Sequence, residues 1–356
     1  MNRMRFPEWL GRRICMRTIR AKRLPIILFC LFLPGGKLAA QEDTALTTAR
    51  SLIQQNKNEE AISQLKALTT RTPHVKGVDR LLGIAYYQAG RFLEAAPYLE
   101  GSWRENPNDR DVAQLLGLSY YSIGKPAEAI PPLEQVRRWR PEASMDAIYI
   151  LGLCYILAKD YPKALESFAD SYGVPAESAA AHLILARLLL RQGFDPIGEN
   201  EAQKALSLSP QLPLVRFTLG EFDVYKADYP AAIRHFEAEL AVSPAYAPAM
   251  TRLGDVYLRL GRHDEAERIL RSSIWLDQTA AEPYVVLGKV LIEKRQFAMA
   301  ERSLQQGIAL EPGNYTAHYF LGQLYREMGR PDAAVREMRI SAEIQKRETA
   351  VDRRYR

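Results

Sequence analysis

The chain has 356 residues, of which 47% are hydrophobic and 25% are charged. That composition is typical of a globular protein and excludes both wholesale disorder and a collagen-like fibre. The net charge of +6 comes from residues 1–40, because residues 41–356 hold 39 basic and 41 acidic residues. A near-neutral body lacks the positive surface that binding to a phosphate backbone requires, so nucleic acid is not an expected partner.

Residues 1–40 have the layout of a secretory signal peptide. A basic stretch precedes an apolar run from Leu24 to Leu33, and small residues follow up to Ala40. The apolar run is about half the ~20 residues that a membrane-spanning helix needs. We therefore predict cleavage after Ala40, with Met16 as an alternative translation start, and a protein that is exported to the periplasm or secreted. The alternative is an uncleaved leader, which would be the only contact with a membrane.

A period of 34 residues runs through the rest of the chain. The dipeptide Leu-Gly recurs with its glycine at Gly83, Gly117, Gly152, Gly220, Gly254, Gly288 and Gly322. Ala49 and Ala186 stand at the same place in two further units, which makes nine units in all. Twelve residues after each of these positions lies a small residue: Ala61, Ala95, Ala129, Ala164, Gly198, Ala232, Ala266, Ala300 and Ala334. In six units a proline follows another twelve residues later.

The period predicts two helices in each unit. Apolar residues around each Leu-Gly have helical spacing, as Tyr284, Leu287, Gly288 and Leu291 show. A glycine inside a helix costs about 1 kcal/mol relative to alanine, so its repetition indicates close approach of a second helix. We expect the fifth unit, with the sequence FDPIGENEAQ, to pack loosely because its second helix carries small residues at two core positions.

A 34-residue helix–turn–helix unit with Leu-Gly, a small residue and a terminal proline resembles the tetratricopeptide repeat. The resemblance covers residues 42–347 and implies an all-α fold, a right-handed α-solenoid of about nine repeats whose first helices line a concave groove. Residues 348–356 are expected to form a charged C-terminal tail.

The sequence offers no catalytic motif and no metal-ligand spacing. His182 and His318 are expected to be packed core residues, and Cys154 is expected to be a small buried hydrophobe. No cofactor, no metal and no enzymatic activity are predicted.

The candidate functional surface is the groove that the resemblance implies. In units two to five its positions are largely apolar or aromatic; from unit five onward they become charged, with added aromatics. The predicted partner-binding residues are Ile84, Tyr87, Leu118, Tyr121, Tyr149, Leu153, Ile156, Arg187, Arg191, Tyr225 and Arg259. Two interpretations stay open for the apolar part: a docking strip, or side chains that neighbouring first helices bury against each other. The charged part is either a recognition surface or simply a solvated face.

We therefore predict a non-catalytic protein–protein interaction scaffold that binds a protein or peptide in its groove, in assembly or transport within the cell envelope. The alternatives are an accessory subunit of an enzyme complex that processes envelope carbohydrate or lipid, and a solenoid that assembles with copies of itself into a homo-oligomer.

Overall fold

The computed structural model describes residues 34–71, 75–139, 145–193 and 196–354. Over these ranges the chain forms eighteen α-helices and no β-strand. Odd-numbered helices are the first helices of the repeats, and even-numbered helices are the second. The helices divide into two compact units, one ending at Gly173 and the other beginning at Val174.

The N-terminal unit contains four helix pairs, in which each first helix packs against its own second helix and against the first helix of the next pair. Its helices are α1 (Pro34–Gln54), α2 (Asn58–Arg71), α3 (Val78–Gln88), α4 (Phe92–Glu105), α5 (Arg110–Ser122), α6 (Pro126–Trp139), α7 (Met145–Leu157) and α8 (Tyr161–Tyr172).

The C-terminal unit contains five helix pairs, in which each first helix packs against its own second helix. Its helices are α9 (Ala179–Gln192), α10 (Pro196–Leu208), α11 (Val215–Tyr225), α12 (Tyr229–Val242), α13 (Ala247–Arg259), α14 (His263–Leu276), α15 (Glu282–Glu293), α16 (Phe297–Leu310), α17 (Tyr315–Glu327) and α18 (Pro331–Arg354). The all-helical repeat fold that the sequence predicts is confirmed.

The repeated glycine is the contact point between the two helices of a pair. A Cβ built on Gly254 would lie 2.6 Å from Cγ of Leu270, and one built on Gly288 would lie 2.6 Å from Cγ of Leu304. In every Leu-Gly repeat the obstructing side chain lies sixteen residues after the glycine, and in six of the seven it is a leucine or phenylalanine. Both helices are therefore held close enough that the first helix has no room for a methyl group there.

The predicted loose packing of the fifth unit is wrong. Ala186 replaces the glycine of α9, and the residue sixteen positions later is Ala202 instead of a large side chain; both are fully buried. The space near Gly198 is filled from α11 by Phe222, whose ring would lie 2.8 Å from a Cβ at that position. The side-chain volume that the α9–α10 pair lacks is thus supplied by Phe222 of α11.

The turn between paired helices uses the same left-handed backbone conformation in eight of the nine repeats; Gly193 of the fifth repeat, with φ 123° and ψ 173°, is the exception. Ala227 and Gly261 occupy equivalent positions and have φ angles of 58° and 71°. The N–H groups of Gly261 and Arg262 donate to the carbonyls of Leu258 and Tyr257, which closes the first helix with a Schellman motif. Where glycine is missing, another residue adopts the left-handed conformation and bears its steric cost.

Two predicted boundaries lie near the ends of the residues that the structure describes. Residues 1–33 of the predicted leader lie outside the described residues, and the predicted cleavage site after Ala40 lies within α1. Residues 348–354 of the expected tail continue α18. None of the described helices is long and apolar enough to cross a membrane.

The turn conformation predicts opposite effects of two substitutions. Ala227→Gly should raise the free energy of unfolding by about 0.5–1 kcal/mol because glycine adopts positive φ without strain. Gly261→Ala should lower it by about 1 kcal/mol for the same reason. Thermal denaturation followed by circular dichroism measures both changes, and shifts of the same sign would contradict the interpretation.

Candidate functional site

The predicted apolar strip lies on three successive first helices of the N-terminal unit. Its members on α3 and α5, and the first of those on α7, are half-buried: Ile84, Tyr87, Leu118, Tyr121 and Tyr149. Because α5 packs against both α3 and α7, the strip is continuous within this unit.

Neighbouring side chains cover part of this strip. Burial raises the pKa of Tyr121 to about 12, with smaller contributions from the nearby Cys154 and Tyr149. The ring of Tyr149 packs edge-on against Phe168, with 5.4 Å between ring centroids, and against Tyr172. The tyrosines therefore contribute to packing between helices while keeping part of their surface in solvent.

The prediction that Leu153 and Ile156 lie on an open surface is wrong. Leu153 and Ile156 are each only 5% exposed. From Ile148 to Leu157, α7 carries no charged side chain, and nearly the whole helix is buried. A helix that is apolar on every face is covered on every face, so the groove position does not keep these two side chains accessible.

The charged part of the prediction lies on α9, α11 and α13 of the C-terminal unit. Arg187 is half-buried, Arg191 is exposed, and Tyr225 is 49% exposed. Burial raises the pKa of Tyr246 and the positive charge of Arg187 opposes that rise, so Arg187 lies near the start of α13. Arg259, the last residue of α13, pairs with Asp255 through Nε at 2.8 Å.

Around Arg259 the structure assembles a larger cluster, which we call the charged face. Nε of Arg252 lies 2.6 Å from a carboxylate oxygen of Glu221, and its Nη1 lies 3.7 Å from a carboxylate oxygen of Glu282. Arg252 therefore joins three successive first helices. The members of the charged face are Glu221, Arg252, Asp255, Arg259, Glu282 and Lys289.

Lys289 differs from the other cations of the charged face. Among the described residues it has no carboxylate within ion-pair distance; its Nζ instead lies 4.6 Å from the ring centroid of Phe320. Burial lowers the pKa of Lys289, and the charge of Arg259 lowers it further, against the effect of Asp255 and Glu282. Lys289 is thus a half-buried ammonium that has acids in its neighbourhood but none within ion-pair distance among the described residues.

Arg252 and Glu282 were not among the predicted site residues. Arg252 stands two residues before the repeat glycine, and Glu282 stands at the start of α15, so neither occupies the positions that the resemblance assigns to the groove. Arg252 reaches the charged face because its side chain is long. An arginine and acids near the same face of consecutive repeats are the signal that could have found them.

The side chains of His182, His318 and Cys154 are buried between helices. His182 is 6% exposed and its Nδ1 lies 2.5 Å from Glu201, while His318 is 7% exposed and pairs with Glu337. Burial raises the pKa of Cys154 to about 12, so its thiol is protonated at neutral pH. The expectation of buried, satisfied histidines and a buried cysteine is confirmed. Within the described ranges, no three His, Cys, Asp or Glu residues lie together as metal ligands would.

Lys289 and Lys294 belong to the same repeat, but only Lys294 forms ion pairs among the described residues. Replacing each by methionine should therefore change stability in different ways. Lys289→Met should leave stability unchanged or raise it by up to about 1 kcal/mol, because methionine keeps the contact with Phe320 and removes the desolvated charge. Lys294→Met should lower stability, because Lys294 pairs with Asp264 and Glu267 at 2.6 and 2.7 Å. Urea denaturation of both variants tests this, and an equal loss of stability would contradict it.

Two curated relatives match part of this chain. The human tetratricopeptide repeat protein 7B is 32% identical over 109 residues, which are 31% of this chain and 13% of that protein. The mouse tetratricopeptide repeat protein 21A is 23% identical over 129 residues, 36% of this chain and 10% of that protein. The chain thus matches a small part of either relative's length.

Among solved structures, the Cut9–Hcn1 hetero-tetramer of the APC/C aligns with 82% of this chain and 57% of that chain, at 17% identity and a TM-score of 0.44. YrrB, described as a tetratricopeptide protein with an unusual peptide-binding site, aligns with 52% of this chain and 94% of its own, at 20% identity and a TM-score of 0.41.

Family models match in four places. Models described as tetratricopeptide repeat match residues 46–110, 115–176, 225–280 and 291–352, which together are more than half of the chain. These matches fall on the helix pairs described above. The chain belongs to the tetratricopeptide repeat family.

Proposed function

We propose that the chain is a non-catalytic scaffold that holds a segment of a partner protein against the charged face of its C-terminal unit. Tetratricopeptide repeats are protein–protein interaction modules, which supports the general role. The observation that carries the specific proposal is Lys289, a half-buried cation with an aromatic ring beside it and no carboxylate at ion-pair distance within the described residues.

The balance of charges indicates which chemistry the partner brings. Arg252 and Arg259 already have acids within the face, so neither needs an outside anion. Lys289 has no acid within ion-pair distance among the described residues, and Asp255 and Glu282 offset only part of the effect of its burial, which makes it the cation of the face that gains most from an outside anion. We infer that an acidic side chain of the partner pairs with Lys289.

Aromatic side chains on α11, on α17 and at the start of α13 supply apolar contact near the charges. Phe217 and Tyr246 pack edge-on, with 5.3 Å between their ring centroids. Tyr225 and Tyr319 are 49% and 42% exposed, and Tyr319 packs against Phe320. Aromatic anchors next to charged groups are the composition of binding hot spots.

The apolar strip of the N-terminal unit supports docking less strongly. Its five half-buried members offer partial surfaces, while Leu153 and Ile156 offer almost none. We retain Tyr121 and Tyr149 as a second contact region for an apolar segment of a partner.

We also propose that the protein is exported and acts in the cell envelope, on the basis of the basic and apolar leader in residues 1–40. Partner identification should therefore use native protein from an envelope fraction. The intact mass of that protein is expected to match a chain that begins at residue 41, and a mass that includes residues 1–40 would contradict cleavage.

Site-specific photo-crosslinking tests the binding site. A photoreactive phenylalanine placed at Tyr319, next to Phe320 and the charged face, is expected to form an adduct with a protein partner in the native host. Lys289→Glu should reduce that adduct at least tenfold, because it replaces the attracting charge by a repelling one.

The matched control places the same photoreactive residue at Val335, which is 68% exposed on the second helix α18. That position should give no adduct with the same partner. Equal adduct formation from both positions, or from Tyr319 with and without Lys289→Glu, would contradict binding at the charged face. Loss of adducts in Tyr121→Ala and Tyr149→Ala, with Lys289→Glu silent, would move the site to the N-terminal unit.

A further inference from the structure

A large aromatic side chain stands in solvent on a second helix of the C-terminal unit. Trp275, near the end of α14, is 77% exposed, the highest value among the large hydrophobic residues that the structure describes. It belongs to a second helix and not to the first helices that carry the charged face. Its exposure therefore has no part in the function proposed above.

Two open cavities flank the Trp275 indole. One has a volume of about 540 Å³ and lies between Trp275, Met250 and the loop residues Pro244 and Ala245. The other has a volume of about 470 Å³ and lies between α14, α15 and α16. Trp275 and Arg271 line both cavities, so the indole forms the wall between them.

The inner surface of the second cavity is apolar and its rim is basic. Leu287 and Leu291 of α15 line it together with Met299 of α16, which is 41% exposed. Polar groups on the rim include Arg302 and Gln306. An apolar recess with a few polar groups at its edge is the form of a binding pocket.

The charges around the two cavities have one sign. Their linings contain two arginines and no carboxylate. Arg271 is held by Glu267 at 2.8 Å, whereas Arg302 has no carboxylate within ion-pair distance in the described part of the chain. An exposed tryptophan beside an uncommitted arginine matches the residue types that dominate protein interfaces.

We propose that this second-helix surface binds an amphipathic, acidic segment of a partner protein. Apolar side chains of that segment enter the two cavities on either side of Trp275, and a carboxylate of the segment pairs with Arg302. Charge complementarity selects this occupant, because an acidic partner satisfies Arg302 and a basic partner is repelled by both arginines. The surface shares no residue with the charged face.

The test uses two synthetic helical peptides as probes. Both carry leucines at helical spacing on one face; the other face carries glutamates in the first peptide and lysines in the second. Fluorescence anisotropy of labelled peptide measures their affinity for the full chain. The glutamate peptide is expected to bind at least tenfold more tightly than the lysine peptide, and equal affinity would overturn the proposal.

Variants then place the binding at Trp275. Trp275→Ala and Arg302→Glu should each weaken the glutamate peptide at least tenfold, and Arg302→Glu should strengthen the lysine peptide. The matched controls are Leu93→Ala, a side chain 70% exposed on the second helix α4, and Arg268→Glu, an exposed arginine on α14 that lines neither cavity. Both controls should bind like the wild type. All four substituted side chains are exposed, and circular dichroism verifies that each variant folds.

Two further outcomes would overturn the proposal. If Lys289→Glu removes glutamate-peptide binding while Trp275→Ala does not, the peptide binds the charged face instead. If light scattering shows a wild-type oligomer that Trp275→Ala converts to a monomer, the occupant of this surface is a second copy of the chain.

Discussion

The structure depends on one contact, which is repeated between the paired helices of each unit. The first helix presents a glycine or alanine, and the residue sixteen positions later on the second helix packs directly onto it. In six of the seven glycine repeats that residue is leucine or phenylalanine; the last repeat uses Met338. Where Ala186 takes the place of glycine in α9, the opposing residue shrinks to Ala202 and Phe222 of α11 fills the remaining space. In the fifth pair a smaller residue on the second helix thus compensates for the methyl group on the first, whereas the first pair buries both Ala49 and Leu65.

This contact, together with the small residue twelve positions after each repeat glycine, holds each pair of helices together. The residues on the remaining faces are therefore free to vary. The charged face and the Trp275 surface both lie at such positions, one on first helices and one on second helices. Lys289 and Arg302 share one feature: among the described residues, neither cation has a carboxylate within ion-pair distance. Cations that serve the fold here, such as Lys294 between Asp264 and Glu267, are paired within the chain.

The sequence predicted the repeat and its paired helices because steric demands recur at fixed spacing. It also predicted the burial of Cys154, His182 and His318. It failed where a side chain's environment depends on helices distant in the sequence. Leu153 and Ile156 occupy groove positions but are covered, since α7 is apolar on all sides. Arg252 lies off the groove positions yet reaches the charged face. Trp275 lies on a second helix, outside the groove positions that the repeat pattern identifies.

A double-mutant cycle between Gly254 and Leu270 tests the central contact most directly. Gly254→Ala places a methyl group against Leu270, and Leu270→Ala alone leaves a cavity that costs about 2–5 kcal/mol. The double variant recreates the alanine pair of α9 and α10, and the helix propensity gained by alanine cancels in the cycle. Denaturant titrations should give a coupling free energy of at least about 1 kcal/mol in favour of the double variant. Additivity to within about 0.5 kcal/mol would contradict the account, because the two side chains would then not compete for the same space.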